Sequence, residues 1–227
     1  MKPKKIDIKA VIFDLDGTLI DSDKDIVRLI NLIRAKFLKK KKINIKKIAN
    51  YSSIGGNKLI INTLSKKKPK FFLKIFRNLY NNIKIRKDLI FPGVVNFLRF
   101  LKSKKIKIYI CTNKPKFLTS KIVKTTILNK YIDNFFCSDE FNYKKPNKIF
   151  FLKILKKIDI KKEKILFIGD SLIDYQFCKN SSLDFILYKN KRISYPKDIY
   201  FKLSKSNKIL FSYNNSKQLK ELFFNIK

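Results

Sequence analysis

"IKAVIFDLDGTLIDS", residues 8–22, runs from an apolar stretch into two carboxylates two positions apart, with a glycine and a hydroxyl behind them. Ile8 to Phe13 is too short for a buried helix and reads as a buried strand. Residues two apart on a strand point the same way, so Asp14 and Asp16 are expected to leave its end together. If the strand lies in a parallel sheet, that end is the edge where ligands bind. Two like charges so close repel, and a hard divalent cation with oxygen ligands removes the repulsion. The competing account makes Asp16-Gly17 an ordinary turn and Asp14 a cap. The rest of the chain decides between them.

Further short apolar runs follow at Ile106 to Cys111, Asn134 to Cys137, Ile165 to Ile168, Phe185 to Tyr188 and Ile209 to Phe211. Segments with helical spacing separate most of them, such as Val94, Phe97, Leu98 and Leu101 after Pro92, or Ile149, Leu152, Leu155 and Lys156 after Pro146. Alternating strand and helix predicts an α/β fold, a doubly wound, mostly parallel sheet with helices on both faces. The stretch from Asp21 to Leu89 departs from this, with no strand and several helical patterns in succession. Ser22 and Asp25 have capping-box spacing ahead of a helix carrying Ile26, Ile30, Ile33 and Phe37 on one face. More helix is expected at Ile45 to Tyr51, Lys58 to Ser65 and Pro69 to Ile83, broken by a small-residue turn containing Gly55 and Gly56. The expected division is therefore a core of residues 1–20 and 90–227 with an inserted helical cap of 21–89.

Composition narrows the chemistry. The chain of 227 residues is 45% hydrophobic and 14% aromatic, enough for a packed core. The net charge of +37 suits a polyanion partner at first sight. The cations are nearly all Lys and run through every segment, while Ile, Asn, Phe and Tyr are equally inflated. Codons for these residues are rich in A and T, so a biased genome produces the pattern without any nucleic-acid partner. Lys runs such as Lys39 to Lys42 read as solvated helix faces. Cys111, Cys137 and Cys178 lack a C-x-x-C and are expected as reduced, buried thiols. The absence of histidine removes Ser-His and Cys-His nucleophile pairs and His-ligated zinc. The basic start lacks a signal peptide's apolar stretch and no run has membrane-spanning length, which predicts a cytoplasmic protein without a membrane partner.

The other strand ends carry polar residues too. "YICTNKP", residues 109–115, places Thr112 and Asn113 where a hydroxyl, an amide and backbone N–H groups can hold phosphate oxygens, although a turn or helix cap is the ordinary role of such a pair. "FIGDSLID", residues 167–174, puts Asp170 and Asp174 at the same edge as the first pair. In "YKKPNKIFF", residues 143–151, Lys145 precedes Pro146 and the helix it starts, so an ammonium is offered from a fixed backbone position. The first loop lacks the regular oxygen ligands and terminal Glu of an EF-hand, and there is no Walker loop.

The order Asp14-Leu15-Asp16-Gly17-Thr18, then Thr112, then Lys145, then Gly169-Asp170 with Asp174 resembles the four motifs of the haloacid dehalogenase-like hydrolases, over almost the whole chain. "LIFPGVVNFLRFLK", "CTNKP", "YKKP" and "LFIGDSLID" are similar to the phosphoglycolate phosphatase branch. The resemblance implies a Mg²⁺-dependent phosphatase with Asp14 as nucleophile and Asp16 as acid and base. It implies that Asp14, the Asp16 carbonyl and Asp170 hold Mg²⁺, and that Thr112, Asn113 and Lys145 neutralise the phosphoryl group. Gly17 and Asp174 would be supporting residues, with the Gly55-Gly56 turn of the cap meeting the leaving group. The implied partner is a small phosphate ester, 2-phosphoglycolate first, or else a nucleoside monophosphate, a sugar phosphate or pyrophosphate. A monomer or homodimer without a specific nucleic acid is expected. Other classes on the same scaffold would be a basic nucleic-acid-binding protein or a phospho-acceptor domain. The sequence departs from the family pattern after Pro146, where further prolines are missing, and after Tyr188, where glycines are.

Overall fold

The computed structural model describes residues 7–52, 56–190, 195–206, 208–210, 212–215 and 218. Within them the chain forms β1 (Ala10–Phe13), α1 (Asp23–Leu38), α2 (Ile45–Ser52), α3 (Gly56–Thr63), α4 (Pro69–Asn81), α5 (Val94–Ser103), β2 (Lys107–Thr112) and α6 (Lys116–Thr125). These are followed by β3 (Asn134–Cys137), α7 (Ser138–Phe141), α8 (Lys148–Leu155), β4 (Ile165–Gly169), α9 (Leu172–Ser181), β5 (Asp184–Tyr188), α10 (Lys197–Lys205) and β6 (Ile209–Leu210). Of the turn expected at Gly55-Gly56, Gly55 lies outside the described residues, as does Phe211 at the end of the last predicted strand.

The sheet order is β3-β2-β1-β4-β5-β6, and every pairing is parallel. Strict alternation along the central strands explains why helices cover both faces. Val11, Phe13, Ile108, Ile110, Leu166 and Ile168 pack against α5 and α6 through Val94, Phe97, Leu98 and Ile122. Ala10, Ile12, Tyr109, Cys111, Ile165 and Phe167 pack against α8, α9 and α10 through Phe150, Phe151, Ile154, Phe177 and Leu203. Cys111, Cys137 and Cys178 are free and buried, as expected of structural thiols. The order reverses at β1, with β2 on one side and β4 on the other. The carboxyl ends of these two neighbours flank the switch point at which open α/β sheets bind ligands.

Helices α1 to α4 form a layer with its own core of Ile26, Ile30, Ile33, Ile60, Phe72 and Phe76, joined by Leu118 from α6. The chain enters and leaves this layer through adjacent extended segments. Ile20 bridges Ile90 antiparallel, the Asp21 N–H donates to Leu89 O and the Phe91 N–H to Leu19 O. Arg86 fastens the junction, its Nε donating to both Asp25 oxygens at 3.0 Å and its Nη2 to Asp21 O at 2.6 Å.

Several local expectations give way to these contacts. Ser22 stands at the N-cap of α1 with helical backbone angles and no side-chain capping bond, and Asp25 is drawn to Arg86, so no capping box forms. Phe37 is half exposed, its ring meeting Phe72 edge-on at 6.5 Å at the rim of the layer. On α8 the buried face is Phe150, Phe151 and Ile154, and Leu152 points outward, since two strong apolar residues in succession outweigh the stripe read from Ile149, Leu152 and Leu155. Lys39 closes α1 in the left-handed conformation, so Lys40 to Lys42 lie in the following loop and not on a helix face.

Candidate active site

Parallel registration of β1 against β4 sets the site. Phe13 faces Ile168, and the Asp14 N–H continues the ladder by donating to Ile168 O at 2.9 Å. Asp14 and Asp170 are thereby carried to neighbouring strand ends, and the next helix brings Asp174 beside them. Carboxylate oxygens of Asp14, Asp170 and Asp174 lie within 4.8 Å of one another, and all three residues are buried. Lys145 enters this group, its Nζ donating to Asp14 Oδ1 at 2.8 Å and to Asp174 Oδ1 at 2.6 Å.

Three carboxylates against one ammonium leave two negative charges in a buried space. Burial pushes Asp14 up to about 7 despite Lys145, with Asp174 and Asp16 adding to the rise. Burial, then the charges of Asp14 and Asp174, push Asp170 well above the ordinary carboxylate range. Asp170 has no cationic partner among the described residues; it accepts the Thr18 hydroxyl at 2.9 Å and the Asn190 amide at 3.4 Å. A surplus of about two charges on hard oxygen donors is the chemistry that a divalent cation such as Mg²⁺ satisfies, so the residues present fit such an ion.

Gly17 is required by the same crowding. It has φ +86°, and a β-carbon there would meet Asp170 Oδ2 at 2.1 Å. Asp174 is fixed by a capping box at α9, accepting the Ser171 N–H at 3.1 Å and hydroxyl at 2.6 Å.

Asp16 does not share this group. Its carboxylate turns to Lys114, whose Nζ lies 2.8 Å from Oδ1 and 3.1 Å from Oδ2, so the two acids of the opening motif each face a separate lysine. The Lys114 ammonium also donates to the Tyr80 hydroxyl at 3.2 Å and sits 4.7 Å from that ring's centre. Its neighbours Asp16 and Tyr80 raise its pKa although burial opposes them.

Thr112 is buried at the end of β2, its oxygen accepting the Lys114 N–H at 3.0 Å, which leaves its hydroxyl proton to donate. Both ends of the Asn113 amide engage the Lys145 backbone, Oδ1 accepting the N–H at 2.9 Å and Nδ2 donating to the carbonyl at 3.1 Å. Asn113 therefore anchors Lys145 while it also lines the cleft.

A cleft of about 170 Å³ opens over Asp14, Asp16, Thr112 and Lys145 and is closed from above by Ser52, Gly56, Phe76, Arg77 and Tyr80. The sequence reading missed Lys114, although it follows Asn113 directly, because one Lys among so many carries no signal. Ser171 was signalled by its spacing to Asp174, whereas nothing in the sequence marks Asn190 or Tyr80.

Residues 8–181 match the family model described as haloacid dehalogenase-like hydrolase, and the chain belongs to that family. Within it the chain aligns with phosphatases. Phosphoglycolate phosphatase of Aquifex aeolicus (strain VF5) is 31% identical over 177 residues, covering 77% of this chain and 81% of that protein. Phosphoglycolate phosphatase of Nitrosospira multiformis is 28% identical over 182 residues, 74% of this chain and 78% of that protein. Among solved structures, a predicted phosphoglycolate phosphatase from Haemophilus somnus 129pt superposes with a TM-score of 0.79 at 20% identity, covering 94% of this chain and 98% of that one. CbbY from Rhodobacter sphaeroides in complex with phosphate gives 0.68 at 17% identity, covering 92% and 96%. The chain is an enzyme of the phosphatase kind within the family. No helix among the described residues is long and apolar enough to cross a membrane.

Proposed function

We propose that the protein hydrolyses a small phosphate monoester, 2-phosphoglycolate foremost, with Mg²⁺ and through an aspartyl-phosphate on Asp14. The observation that carries this reading is the buried Asp14 carboxylate at the sheet's switch point, held 2.8 Å from the Lys145 ammonium at the floor of the cleft. Mg²⁺ held by Asp14, Asp170 and the Asp16 carbonyl would offset charge on the phosphate oxygens.

An Asp14 carboxylate oxygen attacks phosphorus as the ester bond breaks, giving the mixed anhydride. Asp16, on the cleft wall, hands a proton to the departing alcohol oxygen and then takes one from the water that attacks the anhydride, releasing phosphate and free Asp14. Lys145 and the Thr112 hydroxyl meet the charge spread over the transferring group. Asn113 and Asp174 hold Lys145 from its backbone and its ammonium. Residues 21–89 act as a cap that excludes water from the phosphoryl centre, and Gly56 on the cleft wall lies where the leaving group sits. Three free buried thiols fit a reducing, cytoplasmic setting.

Purified protein with Mg²⁺ should release phosphate from 2-phosphoglycolate in preference to a nucleoside monophosphate, a sugar phosphate or pyrophosphate, and Asp14→Asn should abolish release. Full activity in that variant would remove Asp14 as nucleophile; preference for another ester in the panel would remove the substrate assignment and leave the mechanism.

A further inference from the structure

The phosphoryl chemistry above uses the floor of the cleft and leaves its upper wall unexplained. That wall is largely apolar, built from Ile26, Leu59, Leu73, Phe76 and Leu118. One charged group on it stands apart. Arg77 lines the cleft from α4 and has no carboxylate or carbonyl partner among the described residues. The other two cations lining the cleft each face a carboxylate. Lys145 faces Asp14 and Asp174, Lys114 faces Asp16, and Asp139 accepts the Lys116 N–H at 3.0 Å with both oxygens. Arg77 lies one turn before Tyr80 on the same face of α4, since residues three apart are neighbours on a helix surface. The Tyr80 hydroxyl in turn lies 3.2 Å from Lys114 Nζ, next to the acid Asp16. The unmatched guanidinium therefore stands on the leaving-group side of the scissile bond.

Resting on the phosphatase reading of the floor, the geometry points to Arg77 as the residue that selects the leaving group by accepting a second negative charge, a carboxylate carried on the alcohol part of the ester. A guanidinium offers a planar fork that matches a carboxylate with two parallel hydrogen bonds. The two parallel bonds, and not dryness of the wall, carry the preference, because Arg77 itself is exposed. The cleft, at about 170 Å³, falls below the roughly 300–1,000 Å³ of sites for drug-sized ligands. It therefore suits an ester with only a few atoms between its two anionic ends. Arg77 is a specificity residue in this scheme: it touches the substrate's far end and no reacting atom.

The test compares 2-phosphoglycolate with 2-hydroxyethyl phosphate, which is nearly the same size and carries a neutral hydroxyl in place of the carboxylate. Wild type, Arg77→Gln and Arg77→Lys are assayed with Mg²⁺ for kcat/KM on both esters, with Asp14→Asn as the control. Arg77 is exposed at the layer's surface, and a thermal melt establishes that each variant is folded. Arg77→Gln should lower the preference for the carboxylated ester by about 10- to 100-fold, the range of a hydrogen-bonded charge, and Arg77→Lys should recover part of it. A preference unchanged within twofold in Arg77→Gln, or equal losses on both esters, would overturn the role of Arg77 while leaving the phosphatase reading intact. Activity undiminished in Asp14→Asn would remove Asp14 as the nucleophile, and no phosphate release from either ester by wild type would overturn the phosphatase reading itself, and the inference with it.

Discussion

Lys145→Met keeps most of the length of the side chain and removes its charge. The ammonium touches Asp14 at 2.8 Å and Asp174 at 2.6 Å, with 3% of the side chain exposed. Removing one partner of a buried ion pair costs about 3–5 kcal/mol, because the other charge is left uncompensated. Two carboxylates lose their cation here with Asp170 already beside them, which places the metal-free variant at the upper end, about 5 kcal/mol at pH 8. Protons offer relief. Burial already pushes Asp14 up to about 7 with the ammonium in place, and without it the proton is held more tightly. At pH 5 the cluster has therefore shed much of its charge, and the loss should shrink to about 1 kcal/mol, that of the missing hydrogen bonds. Urea unfolding in EDTA reads the difference: with slopes of about 1–3 kcal/mol per molar urea, the midpoint should fall by at least about 1.5 M at pH 8 and by under about 1 M at pH 5. Equal destabilisation at the two pH values would refute the claim that buried like charge, balanced by Lys145, governs this site.

Gly17→Ala should weaken Mg²⁺ binding about 10- to 100-fold, the usual penalty for disturbing a ligand's support. Its β-carbon displaces Asp170 Oδ2 from 2.1 Å, and the left-handed backbone at φ +86° adds about 1–2 kcal/mol of strain. Calorimetric titration giving wild-type Mg²⁺ affinity would contradict it. The metal-free wild type should also lose stability as pH rises from about 4 to about 7. Asp14 has a folded pKa raised from 3.8 to about 7, so its contribution is fully present below about 4 and is lost as pH rises through about 7. Melting temperatures in EDTA should fall across that window and recover when Mg²⁺ is added at pH 8; a Mg²⁺ effect as large at pH 5 would count against a carboxylate site.

The strands and the order of the motifs were legible because they depend on local pattern. Parallel strands buried on both faces must be short apolar runs, and polar residues at their ends must gather at one edge. What stayed hidden depends on partners distant in sequence. The spacing S-x-x-D occurs at Ser22–Asp25 and at Ser171–Asp174, yet only the second makes a capping box, because Ser22 is helical where Ser171 is extended and Arg86 holds Asp25 from 61 residues away. No local pattern reveals that the Asn113 amide closes on the Lys145 backbone, 32 positions further on. The contact of Lys114 with Tyr80 requires α4 to lie over the sheet edge, an arrangement that no local pattern encodes.

The rung at Ile20 and Ile90 has an implication for how such enzymes diversify. Everything between those residues hangs from two chain ends that already lie side by side, a gap short enough for a tight hairpin turn to close. Excising the intervening stretch, or exchanging it for a longer or shorter one, alters no connection inside the sheet. On the proposed reading of that stretch as the leaving-group wall, substrate choice can be transplanted as a cassette, with Asp14, Lys145 and Asp170 left in the recipient's own frame.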